Sequence, residues 1–151
     1  MSSLDKNHVL LDVGLVLTKV GIVSEHAPRH IVPTPFSKVK KLRDSISELK
    51  VNTFAELFKC EHDHQPLEKT TTYLEVEEFL SQIFYHLLQV APKDKGVVIV
   101  ESFMGLRPLY ETLGHCLFRS FGVRSVYYVL GNVLPIYSSG CDSGIIVDVG
   151  F

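Results

Sequence analysis

Leu10-Leu11-Asp12-Val13-Gly14, near the start of the chain, returns at its end as Ile146-Val147-Asp148-Val149-Gly150. Each is an apolar, strand-like run closed by Asp-x-Gly, which puts a carboxylate at the strand tip and a glycine where the chain must turn. Two such tips facing one another across a cleft make a clamp for a phosphate and a metal ion. Only Phe151 follows the second tip, so the expectation is a first half whose second half is missing.

Outward from the first tip, His8 to Val13 is nearly all apolar and predicts a central strand. Gly14 turns the chain, and Val16 to Val23 predicts a second strand in which Gly21 marks a bulge or a close approach. Arg29 to Val32 predicts a third, stopped by Pro33 and Pro35. Three short strands in succession imply an antiparallel meander.

The period then changes. Val39, Leu42, Ile46 and Leu49 recur at helical spacing behind a capping Ser37, and Thr53 to Glu56 has the form of a capping box. Glu61 to Thr72 is polar and predicts a loop. Leu74 to Gln89 predicts a strong helix through Val76, Phe79, Leu80, Ile83, Leu87 and Leu88. Val97 to Val100 is an unbroken β-branched run, the mark of a buried parallel strand. Leu106 to Phe121 predicts a helix with Pro108 in its first turn and Gly122 just past its end. Ser125 to Leu130 predicts a strand, Asn132 to Ser138 a short helix and Gly144 to Asp148 a last strand. This order fits one mixed α/β sheet with helices on both faces, and residues 36–73 form an insertion.

The bulk properties narrow the function. At 151 residues the chain makes one domain with a real core, and 46% hydrophobic with 21% charged residues is an ordinary globular composition. A net charge of -2 gives no basis for nucleic acid or an anionic membrane as partner. No apolar stretch reaches the roughly 18 residues of a membrane span. Cys60, Cys116 and Cys141 form no disulfide framework, and their odd number fits a reducing compartment.

Several landmarks in order resemble the actin superfamily. They are Leu11-Asp12-x-Gly14 with Lys19 and Gly21; Ala27-Pro28-Arg29; Tyr85-x-x-Leu88-x-Val90-Ala91-Pro92 followed by Val98 to Glu101; and Tyr137-Ser138-Ser139-Gly140 leading to Gly144 and the second Asp-x-Gly. The resemblance implies an actin-like ATPase fold, a ribonuclease H-like mixed sheet flanked by helices. Residues 1–143 would be its first half, with the insertion 36–73 at the place of the pointed-end subdomain, and 144–151 the first strand of the second half. It further implies Asp12, Gly14, Lys19, Asp148 and Gly150 around ATP or ADP with magnesium, with little or no nucleotide held by so short a chain.

Where actins have the phosphate-holding serine and glycine of the first hairpin, Leu15 and Val16 stand here. Gly131 aligns with the glutamine that orients water, Val149 with the second serine and Phe151 with an aspartate. Without those donors a non-catalytic protein is expected. Within the superfamily, the short helical insertion is similar to that of divergent actin-related proteins, of the class at the pointed end of dynactin. That similarity implies a structural, end-capping role in the cytoplasm and cytoskeleton. The partners implied are actin-related filament subunits, pointed-end subunits of dynactin and, indirectly, dynein. The contrasting expectation is an actin-fold ATPase or phosphotransferase with weak ATP hydrolysis.

Other reactive residue types carry less. Cys60-Glu61-His62-Asp63-His64 holds zinc-ligand residues, but the spacing fits no standard zinc site and a solvated acidic loop is expected. Cys116 falls on the apolar face of its helix and belongs to the core. Cys141 lies in a Gly/Ser turn. The basic run Lys38 to Arg43 is a solvated face first and a contact for an acidic partner second.

Overall fold

The computed structural model describes residues 7–14, 16–36, 71–101 and 107–147. Five strands form one sheet: β1 (His8–Val13), β2 (Leu17–Ile22), β3 (His30–Pro33), β4 (Gly96–Glu101) and β5 (Ser125–Leu130). Their order is β3-β2-β1-β4-β5. β1, β2 and β3 form the expected antiparallel meander, whereas β4 pairs parallel to β1 and β5 parallel to β4. The helices are α1 (Thr71–Ser81), α2 (Arg107–Arg119) and α3 (Leu134–Ser139). A mixed sheet flanked by helices is thus the architecture.

Alternation along β1 sends Val9, Leu11 and Val13 to the core. Val97 and Ile99 join them from β4, and Val20 from β2. α1 and α2 cover this same face, bringing Val76, Leu80, Leu113 and Leu117 onto it. Among the described helices the two longer ones share this face, each packing its apolar stripe onto it. On the other face Leu17, Ile31 and Tyr127 remain about half exposed.

α1 does not end where its α-helical hydrogen bonds do. Gln82–Leu87 is a π-helical stretch, with the Leu88 amide reaching the Ile83 carbonyl at 2.8 Å. The wider turn puts Phe84, fully buried, beside Ile83 and Leu88 in the core. The chain then reverses through Gln89 at φ 54°, where the Val90 amide closes on the Phe84 carbonyl. α2 stops more conventionally: Gly122 takes φ 60° and the Val123 amide reaches the Leu117 carbonyl.

Phe36 and Tyr73, at the two ends of the expected insertion, are core residues: Phe36 is fully buried and meets Phe79 edge-on at 5.1 Å. An apolar ring at each end of the excursion fastens it to the sheet domain, because burial rewards the ring. The rest of the insertion, including the basic run and the Cys60 to His64 cluster, lies outside the described residues. The strand expected over Gly144 to Asp148 has no ladder partner across residues 144–147. Ile145 and Val147 are 95% and 80% exposed there, since apolar alternation alone makes no strand without a neighbour to bond.

Candidate functional site

The β1–β2 hairpin is built by register. Asp12 opposes Lys19 directly, and Val13 opposes Thr18. Both charged side chains therefore stand on the sheet face away from the core, at the end of β1. Lys19 Nζ donates to Asp12 Oδ2 at 3.0 Å, with the side chains 54% and 34% exposed. At that exposure the pair contributes little to stability, under about 1 kcal/mol. It remains available to a charged ligand.

Gly14 is required at the turn for steric reasons. A Cβ there would lie 2.7 Å from the Leu17 carbonyl oxygen. The Gly14 amide donates to that same oxygen at 3.1 Å, which closes the hairpin and commits that amide within it.

The support beneath the turn escaped the sequence reading. Thr34 Oγ1 donates to the Gly14 carbonyl at 2.8 Å. Because that bond takes its one proton, Thr18 Oγ1 must be the donor in the buried 2.9 Å contact between the two hydroxyls. The Thr34 amide donates to the Val16 carbonyl at 2.9 Å, and the Tyr110 hydroxyl points to the Val13 carbonyl at 3.4 Å. The strand tip is thus fixed from three elements. A threonine at an inward position of β2, and another just past β3, was the available signal.

At the far side of the parallel ladder, the Gly131 amide donates to the Glu101 carbonyl at 2.8 Å. A Cβ on Gly131 would come within 2.9 Å of Val100 Cγ1 and 3.3 Å of the Glu101 oxygen. The adjoining Asn132 Oδ1 is buried with no hydrogen-bond partner among the described residues.

The structure therefore brings together Asp12, Gly14 and Lys19. Asp148 and Gly150, the second tip, lie outside the described residues, as does Leu15. Elsewhere, a groove of about 530 Å³ is lined by Val32, Pro33, Pro35, Phe79, Gln82, His86 and Leu87. It opens beside the π-helical stretch, on lining residues distinct from the hairpin pair. No cluster of three or more His, Cys, Asp or Glu side chains occurs among the described residues. Nor is any described helix long and apolar enough to cross a membrane.

The turn at Glu25 carries a further landmark. Arg29 Nη2 and Nε bond the Glu25 carboxylate at 2.6 to 3.0 Å, and the Arg29 guanidinium holds that carboxyl below its usual range. Gly21 shows the close approach expected of it, with the Pro28 and Arg29 backbone 3.4 Å from where a Cβ would sit.

The actin family model matches residues 3–151. With a meander, parallel crossovers and an Asp–Lys hairpin in the order that resemblance implied, the chain belongs to the actin family.

Proposed function

We propose that this chain serves a non-catalytic, structural actin-related protein that caps the pointed end of a short actin-related filament, that of dynactin. In this role it helps to recruit pointed-end and cargo-adaptor proteins for dynein-driven transport. The observation that carries the non-catalytic part is the packing at Gly131. The position that aligns with the water-orienting glutamine lacks a side chain, and its surroundings leave no room for one. Its amide is also committed to the Glu101 carbonyl.

Actin-family domains generally bind a nucleotide with magnesium, and the described residues fit that group in part. Asp12 can take the water shell of the metal ion, and Lys19 can meet a phosphate as a point charge. The bound ion would supply charge neutralisation for the phosphates. Asp12 and Lys19 now neutralise one another at 3.0 Å, so binding has to open that pair. Leu15 and Val16 bring no hydroxyl to the hairpin. This supports weak nucleotide binding at most, without turnover.

The end-capping part draws support from the short 36–73 insertion at the place where actins dock the next subunit. A subunit altered at one end only can join a filament through the other and stop growth.

Purification of the intact protein tests both parts. It is expected to bring cytoskeletal filament subunits with it and to release phosphate at background rate. Recovery without any such subunit overturns the capping role. Phosphate release well above background, abolished by Asp148→Ala, establishes the ATPase alternative instead. Gly131→Gln is expected to destabilise the protein by about 1–3 kcal/mol through overpacking, without a gain in phosphate release.

A further inference from the structure

A glycine in the middle of a helix costs stability, and α2 carries one at Gly114. Its place is explained from β5. A Cβ there would collide with the Tyr128 hydroxyl, which uses the gap to donate to the Tyr110 carbonyl at 3.1 Å. Burial pushes the Tyr128 phenol above its usual range, and Glu101 and Glu111 add to the rise, so the group stays a donor.

Tyr110 itself reaches further. It is buried, and its hydroxyl points to the Val13 carbonyl at 3.4 Å. Val13 ends β1, between Asp12 and Gly14. The planar peptide that carries this carbonyl carries the Gly14 amide on its opposite edge, and that amide is taken by the Leu17 oxygen. The plane is therefore held from both sides, by a helix residue and by the hairpin turn. Close packing around the buried ring passes a shift of α2 on to the strand tip rather than absorbing it.

We propose that Tyr110 is a positioning residue for the Asp12–Lys19 hairpin, held in turn by Tyr128, so that α2 and β5 set how well the tip receives a magnesium-bound polyphosphate. The inference rests on the weak nucleotide binding proposed above and names residues outside the hairpin that govern it. Tyr110 acts through the Val13 carbonyl, and Tyr128 acts through the carbonyl of Tyr110. In the sheet β4 stands between β1 and β5, so the two strands share no ladder. The tyrosines connect them through the helix instead. At 3.4 Å the Tyr110 bond is long for a hydroxyl, which leaves it room to shorten when the tip is occupied.

Magnesium ATP titrated into the intact protein, with ligand-observed NMR to read a weak dissociation constant, tests this. Tyr110→Phe keeps the ring and removes only the hydroxyl. It should raise that constant about two- to fivefold, the worth of one hydrogen bond to a carbonyl. Tyr128→Phe should raise it by less, and its half-exposed position guards against loss of the buried variant. The double variant should lose no more than Tyr110→Phe alone, because a broken first link leaves the second nothing to transmit. Tyr73→Phe is the matched control. It removes another hydroxyl bond at α2, the 2.8 Å contact with Ser120 Oγ just past the helix end away from Tyr110, and should leave the constant unchanged. Circular dichroism checks the fold of each variant. Additive losses, or a loss from Tyr73→Phe equal to that from Tyr110→Phe, reduce the tyrosines to general stabilisation and overturn the proposal. So does ATP binding that Tyr110→Phe leaves unchanged. If the wild-type protein does not perturb the ligand at all, the nucleotide reading fails and takes the positioning role with it.

Discussion

Single residues here are defined as much by what they lack room for as by what they carry. Cys116 is fully buried among α1 and α2 side chains, while Cys141 is exposed. Burial pushes the Cys116 thiol up to about 11, with the Ser120 and Tyr73 hydrogen bonds opposing that rise. The folded protein therefore keeps a proton there that the unfolded chain gives up nearer pH 9. Stability from this group is complete below pH 9 and falls between about pH 9 and 11, at up to about 1.4 kcal/mol per pH unit. Urea unfolding followed across that range should show the decline. At pH 8, peptide-level mapping after iodoacetamide should find Cys141 alkylated in the native protein and Cys116 only once urea is added. Equal labelling of the two would contradict the burial.

Among the elements, the β1–β2 hairpin depends on a hydroxyl relay more than on its ion pair. Thr34→Val is nearly isosteric but removes the donor to the Gly14 carbonyl and the acceptor for Thr18. It should cost about 1–3 kcal/mol, the penalty of leaving buried polar groups without partners. Asp12→Ala, at a more exposed position, should cost less than about 1 kcal/mol. Chemical denaturation of the two variants gives the comparison, and a larger loss for Asp12→Ala would reverse the ranking. The hairpin itself was legible because an apolar run ending in Asp-x-Gly is strong local information. Its support was not, since a threonine reads the same on a core face as on a wet one. The π-helical stretch was hidden for a related reason. Ile83, Leu87 and Leu88 satisfy a 3.6-residue period, and only tertiary packing shows that Phe84 also turns inward.

For the molecule as a whole, the core is one cluster that joins the sheet to α1 and α2. Phe84 is a fully buried ring of that cluster, with Phe121 5.5 Å away. Phe84→Ala should lose about 3–5 kcal/mol in urea denaturation. A loss under about 1 kcal/mol would mean the π-helical stretch is not packed as described. The mixed sheet was legible from strand spacing because unbroken β-branched runs such as Val97 to Val100 mark parallel strands. Over residues 144–147 Ile145 and Val147 alternate as expected but meet no neighbour among the described residues. Of the candidate site, the sequence placed Asp12 and Gly14 at the end of β1 and Lys19 on the adjoining strand, where the register pairs Asp12 with Lys19. The closure of the Gly131 position was not, because the side chain responsible belongs to Val100, a strand away.

The sheet also sets an order of events. β1 and β2 meet through a turn of a few residues, whereas β1 and β4 pair His8 with Gly96, 88 positions apart (96 minus 8). Closing so long a loop is an entropic cost that must be met before any of its contacts form. The meander can assemble first and wait with one side of β1 bare; β4 and α2 then arrive as a later, slower step. Kinetic φ-values should accordingly be high for Val20 and low for Val97, a pattern that uniform values would refute. The paired strands at the centre of the sheet thus belong to two different moments in the life of the chain.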